Sequence, residues 1–228
     1  DYHQTGNVTA SFDGAEPVEI MRWESDSASP KFKNDNSTNE TITVNVDNPA
    51  GARSVVLTFG YFDAGNDWWW AVDNIEVSGL LREKIPLFAE DFEGLPLGPN
   101  KDESTPGAAV WTKTAPEGWT HNDSGVPNLG DPANGVDEWE GWTFADKNWW
   151  ALAAANQRRV EFTLAVGTVA VADSDEYDDK GDPVGTYNTY MSTPAINVAG
   201  MEAGTLELLF DSSWRPEESR LSRRSSPR

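Results

Sequence analysis

Trp68-Trp69-Trp70-Ala71-Val72-Asp73-Asn74-Ile75-Glu76-Val77 is the stretch on which the reading of the fold turns. From Trp70 onward it is aromatic, β-branched and alternating, as a strand of a half-buried sheet would be. Three consecutive indoles lead into a carboxylate at Asp73, and Phe88-Ala89-Glu90-Asp91-Phe92-Glu93-Gly94 follows soon after. Period-two alternation predicts that Trp68 and Trp70 face one way and Trp69 the other. The stretch predicts the end of a β-sandwich strand beside an acidic site.

Similar runs recur on both sides of it. Strands are predicted at 7–12, 18–23, 40–46, 54–59 and 70–77, then at 159–164, 168–171, 186–191 and 205–210. Short apolar runs punctuated by Gly, Pro, Asn and Asp are the mark of a sandwich or barrel. Helical periodicity is nearly absent, with residues 151–157 the one short candidate. Residues 94–136 form a long Pro- and Gly-rich segment that Trp111 and Trp119 are expected to pin to the sandwich. Beyond Glu218 the chain turns basic and serine-rich, which predicts a flexible tail or an added extension.

Composition narrows the function classes. Of 228 residues, 38 are Asp or Glu and 17 are Lys or Arg, a formal net charge of −21. That excess argues against nucleic acid and anionic membranes as partners. It suits hard divalent cations, which take clustered carboxylate and carbonyl oxygens. The chain has no cysteine, which excludes disulfides, thiolate metal sites and a Cys nucleophile. His3 and His121 are too few for a multi-histidine metal centre, and no stretch has the apolar length of a transmembrane helix. A start at Asp1 without Met suggests a processed product or a fragment, and the composition suits a secreted or cell-surface module.

Four segments carry a resemblance: Phe88 to Leu95, Ala115-Pro116-Glu117-Gly118-Trp119-Thr120, Phe210-Asp211-Ser212-Ser213-Trp214-Arg215-Pro216-Glu217, and Trp68 to Val77. Together they resemble jelly-roll modules repeated in large secreted bacterial proteins, some attached to calcineurin-like metallophosphoesterase domains. The architecture is similar to galactose-binding-like and MAM-like sandwiches. In such a module the Glu-Asp-Phe-Glu strand looks like a beginning and Trp-Ala-Val-Asp-Asn-Ile-Glu-Val like an end. Here the order is reversed. The expected fold is therefore an all-β jelly-roll sandwich, circularly permuted or domain-swapped. Residues 1–78 would be the C-terminal half of a module, 79–87 a linker, 88–217 the N-terminal half and 218–228 a basic tail. The halves would close within a monomer or between the chains of a swapped homodimer. Residues 78–87 would then join antiparallel neighbours by a hairpin-type link.

Three groups of residues could carry chemistry. The resemblance implies a structural Ca²⁺ at the junction of first and last strands, with Asp73 and Glu93 at the matching positions and Asp91 beside them. The run from Asp173 to Asp182 has alternating acids, so Asp173 and Asp175 are a second candidate for Ca²⁺, against the plainer expectation of a solvated acidic loop. The third group is aromatic: Trp68, Trp70, Trp139, Trp142 and Trp149, next to Asp67 and Asn148. Rings left in a groove would offer a flat face to a sugar, and the alternative is that they are core. Paired carboxylates can also hydrolyse glycosides, and Glu138 and Glu140 beside Trp139 and Trp142 are the candidates for that. Neither histidine sits in a nucleophile context, and Ser212 and Ser213 lack the nucleophile elbow. The expected function is a calcium-stabilised, noncatalytic module binding carbohydrate or another extracellular ligand. The alternatives are a small carboxylate-based hydrolase of glycosides or phosphoesters, with or without metal assistance, and a structural spacer repeat.

Overall fold

The computed structural model describes residues 3–217 except Asn66, Thr105 and Asp182, so the expected basic tail lies outside the described residues. Strands β1 to β6 are Thr5–Phe12, Val18–Glu24, Glu40–Val46, Ser54–Ala64, Trp69–Leu81 and Glu83–Glu90. Strands β7 to β10 are Gly98–Pro99, Ala109–Thr112, Thr120–Gly125 and Thr143–Asp146. Strands β11 to β14 are Thr168–Asp173, Tyr187–Ser192, Ile196–Asn197 and Leu206–Arg215. Two short helices, α1 (Lys147–Ala153) and α2 (Ser174–Tyr177), and two 3₁₀ turns at Asp137–Trp139 and Arg159–Glu161 complete the regular structure.

The strands form two antiparallel sheets, as a β-sandwich requires. The first runs β2-β1-β4-β12-β9, with β13 beside β4. The second runs β3-β14-β5-β11-β10-β8-β7, with β6 beside β5. Both sheets combine strands from before residue 79 with strands from after residue 87, and both are completed within one chain. The longest seam is β5 against β14, where Trp70 faces Trp214 and Trp69 faces Arg215. One apolar core follows, running from Val8 to Trp214.

The tryptophan run explains the core. Trp70 points between the sheets and meets Trp23, Trp142 and Phe59 at 5.7, 5.7 and 5.9 Å. Trp69 points to the other face of its sheet, where Trp150 packs edge-on at 5.8 Å. Adjacent serines on β14 answer adjacent indoles: Trp70 Nε1 donates to Ser212 Oγ (3.1 Å) and Trp69 Nε1 to Ser213 Oγ (3.0 Å). A buried indole N–H keeps a partner in this way on both faces at once. Trp68 breaks the expected alternation because it precedes the strand. Its ring meets Trp69 edge-on at 5.9 Å, and the Arg215 guanidinium lies over it at 3.4 Å.

Other expectations need correction. Residues 159–164 are no strand: Ala155 to Arg158 all have positive φ, and a 3₁₀ turn follows. The helix begins earlier than expected, at Lys147, because the Asp146 side chain caps it by accepting from Trp149 N (2.8 Å). The hairpin-type link expected at 78–87 is present and is regular strand almost throughout. Strands β5 and β6 continue through it as a hairpin, with Arg82 (φ 77°) at the turn. Trp111 and Trp119 do pin the 94–136 segment, both being buried in the core.

Candidate cation site and its surroundings

Strand β5 changes partner halfway along. It pairs with β11 over residues 69–72 and with β6 over residues 75–81. Asp73 and Asn74 fall in the gap, and Asn74 is left-handed (φ 49°). On the other edge β14 slips register between Leu209 and Asp211, at the same level. The ladder is therefore interrupted on both sides of Asp73, whose side chain is buried.

Three carboxylates gather at this fork. Asp73 Oδ1 accepts from Asn74 N (2.8 Å) and Oδ2 from Val166 N (3.2 Å). Glu93 Oε1 accepts from Thr168 N (3.2 Å). The turn between, Gly167, has φ 65°, and a Cβ there would lie 2.2 Å from both Glu93 oxygens. Asp211 accepts from Asn74 Nδ2 (2.9 Å) and from Thr41 Oγ1. Burial pushes the Asp73 carboxyl up to about 7, the two backbone N–H bonds pull it down, and the Glu93 and Asp211 charges push it further up.

The donor set fits a hard cation, since all side-chain donors are carboxylate oxygens and the charges acting most on Asp73 are negative. Among the described residues no three His, Asp or Glu side chains converge into a ready-made metal cluster. Backbone carbonyls and water would have to supply most of the six to eight oxygens Ca²⁺ takes. Asp91 stands apart from Asp73. It is exposed, its Oδ1 accepts from Glu93 N (3.2 Å), and it lines a shallow cleft with Asn74, Glu76 and Glu90.

The second acidic run is not a solvated loop. Asp173 is fully buried at the start of α2 and caps it through Glu176 N. Arg159 lies in its midst, with Nε 3.0 Å from Asp173 Oδ2 and Nη2 3.0 Å from Oδ1. The same Nη2 reaches Glu176 Oε1 at 3.1 Å and Asp175 Oδ2 at 3.3 Å. Trp150 Nε1 donates to Asp173 Oδ2 (2.8 Å), and the guanidinium stacks 4.2 Å from the Trp69 ring. Burial, with Asp173 next to it, pushes Glu176 up to about 9 despite Arg159. Asp173 and Asp175, expected to hold a metal, hold a guanidinium instead.

The aromatic groove is not formed from the expected rings. Trp70, Trp139 and Trp142 are fully buried, so no sugar can reach their faces. Trp149 is half-buried and stacks on Trp139 (5.5 Å, 19°), while Trp68 lies under Arg215. Asn148 is exposed. Asp67 is buried, takes Gly65 N (2.8 Å) and is pushed up to about 7 by burial. Glu138 is buried and accepts from the backbone N–H groups of Lys101 and Asp102; Glu140 accepts from Gly130 N (2.8 Å). Each of these two acids fastens a loop.

Sequence reasoning missed Asp211 and Arg159. Asp211 stood in the quoted Phe210-Asp211-Ser212 motif, with only its position opposite Asp73 to mark it. Arg159 had no local signal, since its acidic partners Asp173, Asp175 and Glu176 lie 14 residues or more along the chain. Compared with known proteins, the chain matches no family model, no curated protein and no solved structure.

Proposed function

We propose that this chain is a noncatalytic β-sandwich module of the jelly-roll kind, permuted in order, that a Ca²⁺ ion stiffens at the Asp73–Glu93 fork. Its setting is the cell surface or the extracellular medium, and its ligand is a carbohydrate or another extracellular molecule. One observation carries the metal reading: carboxylates from opposite sides of the β5–β6 hairpin grip one turn, Val166 to Thr168, with no ion pair to either among the described residues. Asp73 and Glu93 would hold the ion, and the ion would supply the positive charge that the buried Asp73 lacks. The anchoring of Glu138 and Glu140 to backbone amides supports a module without glycosidase chemistry.

The test is a calcium titration of the chelator-treated protein, followed by calorimetry and thermal unfolding. One ion binding with a rise in Tm, and loss of both in Asp73→Asn, is the expected result. An unchanged Tm with and without calcium would remove the metal from this reading.

A further inference from the structure

The two sheets differ in what covers them. The second sheet is buried on both faces near Trp69, where α1 and the turn at Arg159 pack on it. The outer face of the first sheet is half-open, and two of its lines carry charge at one edge only. Strand register places Arg22, Asn7, Gly60, Tyr190 and Asn122 in one line across five strands. The adjacent line is Glu19, Thr9, Thr58, Ser192 and Thr120. Their chain neighbours Val8, Leu57, Phe59 and Met191 point inward, to the core.

Gly60 has a definite role in this surface. A Cβ there would meet Asn7 Oδ1 at 2.5 Å and the Tyr190 ring at 2.9 Å. The missing side chain lets the Tyr190 ring lie down across β4, where it stacks on Phe62 (6.0 Å, 23°). The Arg22 guanidinium lies 5.5 Å from the Phe62 ring and is itself held by Glu19 and Glu24. A flat aromatic shelf therefore sits amid amides and hydroxyls. Charges occur in these two lines only on the edge strand β2, in a chain with 38 acids and 17 bases. Five strands at about 4.8 Å spacing make the strip about 19 Å long.

We infer that this face is the ligand site and that its ligand is a neutral polysaccharide chain. The inference rests on the reading of the chain as a carbohydrate-binding module and adds the surface and the ligand class. The charge match decides the class. Among the described residues of these two lines the one cation is Arg22, already paired with Glu19 and Glu24, so they offer an anionic polymer no counter-charge, and a cationic one would be drawn to the acid-rich remainder of the surface. An uncharged sugar chain offers C–H faces to the Tyr190–Phe62 shelf and hydroxyls to Asn7, Thr58, Ser192 and Asn122.

The experiment uses affinity electrophoresis and calorimetry with mixed-linkage β-glucan, xyloglucan and galactomannan, and with alginate and polygalacturonate as anionic polymers. Wild type is expected to bind at least one neutral polymer. Tyr190→Ala is expected to weaken that binding about tenfold, the equivalent of about 1.4 kcal/mol. Asn122→Glu, at an exposed position that leaves the core intact, is expected to weaken it several-fold without changing Tm or the calcium response. Undiminished binding by both variants would overturn the inference and leave the carbohydrate-binding reading standing on another surface. Binding confined to the anionic polymers would overturn the ligand class. A concentration-dependent dimer dissolved by Asn122→Glu would make the face a self-association surface and overturn it as well. Binding to none of the polymers would bring down the carbohydrate-binding reading together with this one.

Discussion

Two sets of carboxylates lie at opposite ends of the same short strand, β11. At its start, Thr168 N meets Glu93, with Asp73 and Asp211 close by. At its end, Asp173 meets Arg159, with Asp175 and Glu176 close by. The strand spans roughly 17 Å at about 3.3 Å per residue. One set encloses a guanidinium, and the other, among the described residues, is held by backbone and amide N–H groups and a hydroxyl. An acidic run in a sequence therefore does not identify its cation. The alternating acids from Asp173 onward look like an ion-binding loop in their spacing, yet a side chain of the protein fills that place.

The sharpest way to break the comparison is to empty the filled set. Arg159→Met leaves Asp173 and Glu176 buried without their counter-ion. Removal of one partner from a buried pair costs about 3–5 kcal/mol, so the variant should unfold at much lower denaturant. Asp173→Asn in the same chain should restore part of the loss. If calcium alone restored Arg159→Met to wild-type stability, the two sets would be interchangeable cation sites and the contrast would vanish.

The next largest effect belongs to the other set. Calcium at about 100 times its Kd should stabilise the fold by about 2.7 kcal/mol. For a chain of this size that is a rise in Tm of about 5–10 °C. Asp73→Asn should abolish the rise, and Asp91→Asn should keep most of it, because Asp91 acts on the backbone of Glu93. Equal losses in the two variants would mean that the ion sits at the 89–91 cleft instead.

The protons at the fork should show the same contrast. Asp73 titrates near 4 in an unfolded chain and near 7 when folded, because burial penalises its charge. The folded state therefore holds the proton more tightly, and its stabilising share is complete below about pH 4 and is lost as pH rises through about 7. Metal-free protein should lose Tm between about pH 4 and about pH 7, and the calcium-induced rise should grow over the same interval, because the ion requires the ionised carboxylate. Asp73→Asn should flatten that part of the pH dependence. A calcium response independent of pH would detach Asp73 from the ion.

Which parts of this were legible beforehand follows from the range of the forces involved. The strands were visible because period-two burial is written in neighbouring residues: Thr41 to Val46 and Ser54 to Phe59 show it directly. The closure of chain parts before and after the hairpin was visible because Asp73 and Glu93 lie in short, distinctive motifs. The hairpin-type link itself was expected at 78–87, and what was not legible is how far the strands run into it, down to the single residue Arg82 between β5 and β6. The fate of the tryptophans was hidden for another reason. A ring's neighbours in sequence say which side of a strand it takes, and they do not say whether that side is covered. Trp69 is buried because Trp150 and Arg159 come from a segment some 80 residues away, whose irregular turns obey no period.

The smallest effect sharpens the comparison at a single atom. Gly167 and Gly14 both have positive φ, 65° and 75°, so replacement by Ala strains both backbones by a similar amount, about 1–2 kcal/mol. Around Gly14 a Cβ meets nothing within 4 Å, whereas at Gly167 it meets both Glu93 oxygens at 2.2 Å. The difference between Gly167→Ala and Gly14→Ala therefore isolates displacement of the Glu93 carboxylate. In metal-free protein that difference should be small, because Glu93 is exposed and can swing away from its one bond to Thr168 N. With calcium present it should widen, because the ion needs Glu93 where Gly167 now permits it. Denaturant unfolding of the two variants, with calcium and with chelator, measures both differences. A gap that calcium leaves unchanged would reduce Glu93 to a prop for the turn and leave the fork without its second ligand.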